Sequence, residues 1–302
     1  MARGNNSGLV SLHHRKHHSG GVAVRFKRFV VLFLVLFGLS DAAFAQVYSF
    51  GVLPQRSVVL TAQYWNPILD YVQRKTGIEL TLKVARTAPE STEAMERGEY
   101  DFVYSNTIFH PKMAQANYQV ILMPRDEAIK GQIVTLADSP IRTLKEIDGR
   151  EVGFPSLSAF VGYAVPMNHL LGQKITVTPV FGGNQEGIMG QLKSGKVLAA
   201  GVNNQVMAAF AERENIKYRI LWESPPFNNL PIAVHPRVPK KIVDAVKVAI
   251  DSMERESEGA RILERSAQVI GQKSPYGFQL ASPLDYKSYK DFYKHLLLQE
   301  SK

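Results

Sequence analysis

The chain has 302 residues, 45% of them hydrophobic and 21% charged. These proportions exclude a wholly disordered chain and suit one large domain or two smaller ones. It contains no Cys, which excludes a disulfide scaffold, a thiolate zinc site and a Cys nucleophile, and its net charge of +9 invites a nucleic-acid reading that the distribution of charge removes.

The first 45 residues hold Arg3, Arg15, Lys16, Arg25, Lys27 and Arg28 against one acid, Asp41. An apolar run from Phe29 to Leu39 follows, then Ala43-Phe44-Ala45 before Gln46. The run is shorter than the roughly 20 residues a spanning helix needs. A basic stretch, a short apolar core and an A-x-A end predict a secretory signal peptide, cleaved after Ala45. Without a Cys, lipid anchoring at that site is excluded. The basic stretch is long for a signal, which points to a start codon further on, near Val24. The mature chain is left with a net charge of +4 and four of the eight His. It has no dense Lys/Arg stripe and no zinc-finger or RNA-platform motif, so no nucleic-acid partner is expected.

Tyr48–Leu53 reads as a strand. Trp65, Ile68, Leu69 and Val72 then mark a helical face. Asn66-Pro67 either caps that helix or lies inside a longer one. Leu80–Ala85 is a strand, Pro89–Arg97 a helix, Phe102–Tyr104 a strand, Thr107–Ala116 a helix and Gln119–Met123 a strand. A second cycle follows: strands at Ile133–Leu136 and Glu151–Phe154, a helix from Tyr163 to Leu171, and a strand at Ile175–Phe181. It continues with a helix at Gln185–Ser194, a strand at Leu198–Val202, a helix at Gln205–Glu214 and a strand at Tyr218–Trp222. The turn-rich Ser224–Pro231 stretch connects units. The tail reads as helical, with apolar stripes at Ile242, Val246, Ala249, Ile250 and Met253 and at Tyr286, Tyr289, Phe292, Tyr293 and Leu296; such stripes are core contacts. The alternation implies an α/β fold, each sheet mostly parallel and flanked by helices, in two lobes with a cleft between them.

Ligands of open parallel sheets sit beyond the carboxyl ends of the strands. Those ends carry Pro54-Gln55-Arg56-Ser57, Tyr104-Ser105-Asn106-Thr107, Pro155 to Phe160, Gly182-Gly183-Asn184-Gln185 and Asn203-Asn204-Gln205. Each opens a helix, where unpaired N–H groups and the positive dipole end suit an oxyanion. Singly, each is an ordinary N-cap. Together they predict a binding set: Tyr104, Ser105, Asn106, Ser158, Phe160, Asn184, Gln185, Asn203 and Asn204. Its amides donate and accept but supply no charge, and Phe160 adds an apolar wall. This favours an organic solute with one anionic end.

Catalytic and metal patterns are absent. His110, His169, His235 and His295 show no H-x-x-x-H spacing, and there is no G-x-S-x-G elbow or P-loop. No catalytic residue, metal ligand or cofactor is expected.

From Phe50 to about Met253 the chain resembles the phosphate/phosphite/phosphonate-binding periplasmic proteins of ABC importers. The resemblance rests on Phe50-Gly51-Val52-Leu53-Pro54 and on Ala94-Met95-Glu96-Arg97-Gly98-Glu99-Tyr100-Asp101 leading into Phe102-Val103-Tyr104. It continues through Asp138-Ser139-Pro140-Ile141, Phe154-Pro155-Ser156 to Val165-Pro166, Gly182-Gly183-Asn184-Gln185 and Trp222-Glu223-Ser224-Pro225-Pro226. It implies a type 2 periplasmic-binding fold: lobe I from residues 46–130 and 230–302, lobe II from 131–229, closing on a ligand by hinge motion. It also implies a periplasmic monomer that hands a small anionic or polar solute to an ABC permease. A sensory protein signalling to a membrane kinase and an enzyme on the same fold are the alternatives. The chain departs from the family at the ligand. Ala159-Phe160-Val161 stands where a Ser-Thr-Ser cluster is expected before Gly162, Asn184 replaces a His, and no acid lies near Asn203-Asn204.

Overall fold

The computed structural model describes residues 47–298; the expected signal peptide and cleavage site lie outside them. Strand β1 (Val47–Val52) is joined to β2 (Glu79–Val84) by helix α1 (Val58–Thr76), and β2 to β3 (Phe102–Tyr104) by α2 (Ala88–Glu96). Both crossovers produce parallel pairs with β1 at the centre. The stripe Trp65, Ile68, Leu69 and Val72 is buried against this sheet. Ser57 caps α1, its Oγ accepting from Leu60 N at 3.3 Å, and Gly77 ends it at φ +72°. Pro67 lies inside α1, so the longer helix is the one formed. Residues 107–116 make two 3₁₀ turns, Thr107–Phe109 and Pro111–Ala114, rather than one helix. His110 between them is extended, with ψ 137°, because the following proline drives it out of the helical region.

After β4 (Gln119–Pro124) the chain crosses to a second sheet. This contains β5 (Gly131–Leu136), β6 (Glu151–Phe154), β7 (Thr178–Phe181), β8 (Ala200–Asn203) and β9 (Tyr218–Glu223), in the order β7-β6-β8-β5-β9. Helices α3 (Val165–Gly172), α4 (Gln185–Lys193) and α5 (Asn204–Arg213) cover it. A π-helical turn, Phe160–Ala164, leads into α3. The chain then returns, and β10 (Ile232–Val234) and β11 (Phe278–Leu280) complete the first sheet in the order β11-β4-β10-β3-β1-β2. Helices α6 (Lys240–Ser252) and α7 (Ser257–Val269) pack on it, and α8 (Lys287–Lys294) is the last helix among the described residues. The strand β11 breaks the expected all-helical tail; three residues are too few to show a period.

Both sheets are mixed, not mostly parallel. Strand β5 runs against β8 and β9, and β10 against β3 and β4. The cause is the pair of crossings. A strand arriving from the other sheet enters at the end where the parallel strands finish, so it runs the opposite way. The two crossings are themselves paired: Ile129 and Phe227 exchange both backbone hydrogen bonds at 2.8 Å.

An aromatic cluster sits beside the crossings. Phe160, Phe227, Tyr286 and Tyr289 are buried there, with Phe109, Phe292 and Tyr293 packed around them. The apolar stripe of the tail is thus core, as its spacing predicts. Beyond α8, Leu297 N donates to Asn168 Oδ1 at 2.7 Å, so the tail reaches α3 of the second sheet.

Candidate functional site

The ends of β1, β3 and β8 and the first crossing surround a cavity of about 330 Å³. From the first sheet come Arg56, Tyr64, Trp65, Tyr104 and Asp126; from the second come Asn203, Asn204 and Gln205. Above it, loops of the two sheets touch. Ser57 N donates to Glu186 Oε2 at 3.0 Å, Glu186 N to Gln55 O at 3.2 Å, and Ala88 N to Gly183 O at 3.2 Å. The Gly182-Gly183 turn that carries the second-sheet loop tolerates no side chain. A Cβ on Gly182 would lie 2.4 Å from Ile188 N, and Gly183 adopts φ +83°.

The predicted binding set divides. Tyr104, Asn203 and Asn204 line the cavity. Asn106, Phe160, Asn184 and Gln185 border a separate recess of only about 20 Å³. Ser105 and Ser158 line neither. Ser105 Oγ accepts from Thr107 N at 3.1 Å, and Ser158 Oγ pairs with Ser156 Oγ at 3.2 Å. Asn184 spends its carbonyl as a cap, accepting from Gly187 N at 2.8 Å. Gln185 Oε1 accepts from Asn203 N at 3.1 Å. Phe160 is an apolar wall, but one that faces protein: its ring stacks on Tyr289 at 4.2 Å and meets Phe227 edge-on at 4.9 Å.

Asn203 and Asn204 also engage their carbonyls. Asn203 Oδ1 caps α5, accepting from Gln205 N at 2.9 Å and Val206 N at 3.3 Å. Asn204 Oδ1 accepts from Lys130 N at 2.8 Å. Their side-chain amide nitrogens make no hydrogen bond among the described residues and remain donors on the cavity wall. The hydroxyls of Tyr64 and Tyr104 are likewise unengaged among those residues.

The sequence reading passed over the two half-buried charges in the cavity, Arg56 and Asp126; Glu127, Glu212 and Lys273 also line it but are exposed. Arg56, quoted only as part of a strand-end turn, is half-buried and makes no ion pair or hydrogen bond among the described residues. Burial pulls its pKa below the usual guanidinium value, yet a guanidinium stays charged at neutral pH. Nearby Glu186 does not neutralise it, because Arg213 already holds Glu186 at 2.8 Å. Asp126 is held through Oδ2, which accepts from Asn229 Nδ2 at 2.9 Å and Gln272 Nε2 at 3.1 Å. Its Oδ1 is buried without a partner. Burial pushes the Asp126 carboxyl up to about 6, against the two amide donors and Arg56. Burial holds the phenols of Tyr64 and Tyr104 neutral; Asp126 reinforces this and Arg56 opposes it. No acid stands beside Asn203-Asn204 in the sequence, but the first crossing brings Asp126 to the same cavity. Among the described residues no group of three or more His, Asp or Glu could hold a metal, and no helix is long and apolar enough to cross a membrane.

The geometry has counterparts among known proteins. A binding protein component of an ABC phosphonate transporter from Pseudomonas aeruginosa superposes with TM-score 0.72 at 15% identity, covering 83% of this chain and 87% of that one. PhnD1 of Prochlorococcus marinus, in complex with methylphosphonate, gives 0.69 at 14% identity over 83% and 98%. The periplasmic aliphatic sulphonate binding protein SsuA of Escherichia coli gives 0.53 at 14% over 85% and 93%. At these identities the likeness is one of fold, the two-lobed α/β fold of type 2 periplasmic binding proteins. No curated protein matches the sequence. The profile of the ABC transporter phosphonate periplasmic substrate-binding proteins matches residues 50–276, and the chain belongs to that family.

Proposed function

We propose that the mature chain is the capture subunit of an ABC importer, exported to the periplasm after cleavage at Ala45, and that it carries one small solute to a membrane permease. The lobes of this reading are residues 46–130 with 230–302 and residues 131–229, which close on the solute about the two crossings. The observation that carries it is the cavity of about 330 Å³ lined from both sheets, which lies at the lower end of the range for small-molecule sites. The family is one of substrate-binding transport proteins, and the described residues assemble no nucleophile, base and oxyanion-donor constellation in the cavity.

Two measurements test it. Protein purified from its host and then denatured should release one solute per chain, identified by mass spectrometry. Deleting the gene should abolish uptake of that solute. Uptake unchanged by deletion would overturn the importer reading.

A further inference from the structure

We propose that the cavity takes a small zwitterion, a monoanionic carboxylate that also carries an ammonium group, with Arg56 receiving the carboxylate and Asp126 the ammonium. This deepens the proposed function and rests on the cavity being the solute site.

The argument starts from the unmet valences. Among the described residues Arg56 is a cation without a partner and Asp126 has a buried oxygen without one. Both line the same cavity and do not pair with each other. A buried ion left unpaired is costly, and one facing an opposite charge on a ligand is stabilised. A ligand bearing a single charge would satisfy one of the two and be repelled by, or leave orphaned, the other.

The anion is singly charged. Two cations line the cavity, but only Arg56 is half-buried; Lys273 is exposed at the rim, and the start of α5 at the wall is already capped by Asn203 Oδ1. A phosphonate or phosphate monoester carries up to two negative charges near neutral pH and would meet the Asp126 carboxylate as well. The other donors on the inner wall, the amides of Asn203 and Asn204 and the phenols of Tyr64 and Tyr104, are neutral. The guanidinium fork matches a carboxylate in two parallel hydrogen bonds.

The cation has a second reason to sit by Asp126. Trp65, Tyr64 and Tyr104 wall the cavity, their rings packed at 4.9–5.1 Å, and Asp126 acts on both tyrosines. Aromatic faces attract ammonium groups. The other recess, at Phe160, holds about 20 Å³ and offers the side-chain amides of Asn106, Asn184 and Gln185 but no cation, so it takes neither end of such a ligand.

The test is a titration of the mature protein, read by thermal shift and by fluorescence of the cavity residue Trp65. The panel holds the common α-amino acids and 4-aminobutyrate, the matching carboxylates without nitrogen, the matching amines without carboxylate, methylphosphonate and inorganic phosphate. At least one amino carboxylate is expected to bind at least about 100-fold more tightly than either truncated analogue. Arg56→Gln should weaken it at least about 100-fold, and Arg56→Lys less. Asp126→Asn should weaken it by at least about 30-fold while leaving the nitrogen-free carboxylate unchanged. Melting temperatures of the ligand-free variants show that they fold. Equal binding of the carboxylate alone, binding of phosphonate or phosphate only, no binding by any panel member, or indifference to Asp126→Asn overturns the zwitterion. Binding that needs Arg56 but not the ammonium overturns this inference and leaves the importer reading standing. Solute binding unaffected by both Arg56→Gln and Asn204→Ala puts the site elsewhere and overturns both.

Discussion

Phe160 and Tyr289 lie 129 residues apart in sequence and stack face to face, centroids 4.2 Å apart at 28°. One ring belongs to the π-helical turn of the second lobe, the other to the closing helix. Tyr289 is fixed at its far end, its hydroxyl donating to Asn228 O at 2.7 Å and accepting from Asn106 Nδ2 at 3.3 Å. Removing a buried aromatic ring from such a cluster costs about 3–5 kcal/mol. Phe160→Ala should therefore lower the melting temperature by about 6–20 °C, measured by calorimetry. Phe160→Thr, which restores a hydroxyl, should also destabilise and should not create phosphate affinity, because the recess stays closed by Tyr289. A stable threonine variant that binds phosphate would contradict the packing argument.

Asn204 faces Lys130 across the first crossing, donating from its backbone N to Lys130 O at 3.0 Å and accepting Lys130 N at 2.8 Å through Oδ1. Asn204→Ala leaves a backbone N–H without its acceptor and should cost about 1–3 kcal/mol in urea unfolding. Asn204→Asp keeps the acceptor and should cost less than the alanine variant.

The Asp126 carboxyl is raised from 3.8 to about 6 in the folded protein. The folded state then holds this proton more tightly than the unfolded chain. Ionising Asp126 therefore destabilises the ligand-free fold as pH rises from about 4 through 6, and the loss is complete above that window. The neighbours Arg56, Tyr64, Tyr104 and Tyr286 do not titrate there. Asp126→Asn should match the wild type near pH 4 and exceed its melting temperature above pH 6. A difference that stays flat from pH 4 to 8 would count against a raised carboxyl.

Asn203 caps α5 while its backbone N donates to Gln185 Oε1. Asn203→Ala should destabilise by about 0.5–2 kcal/mol, and Asn203→Asp by less. Equal melting temperatures for the alanine variant and the wild type would show that the cap contributes nothing.

The elements legible in the sequence were those with a period. Trp65, Ile68, Leu69 and Val72 announced α1, and the short apolar runs at Phe102 and Glu151 announced β3 and β6. Strand direction was not legible in β5 and β10, because it follows from which sheet the chain arrives from. Of the expected binding set, Tyr104, Asn203 and Asn204 line the cavity, because strand ends carry them. Arg56 stood in the same kind of turn, and its charge among otherwise neutral residues was the signal available. Asp126 had no local signal: it lies in a crossing, and its donors Asn229 and Gln272 come from 103 and 146 residues away. Phe160 was read as facing a ligand because its covering rings, at 286–293, are equally remote.

The paired crossings have a mechanical consequence. Ile129 and Phe227 exchange two hydrogen bonds, and Gly131 and Ser224 add two more: Ser224 N to Gly131 O at 2.8 Å, and Gly131 N to Ser224 Oγ at 2.9 Å. From there the ladder runs on into β5 and β9. Two hydrogen-bonded strands form a ribbon, which bends easily across its flat face and resists bending in its own plane. Two separate linkers would allow one lobe to swivel in any direction. In the closure proposed above, a ribbon would confine it to a single arc, and the groups brought together at the end of that arc would be the same each time.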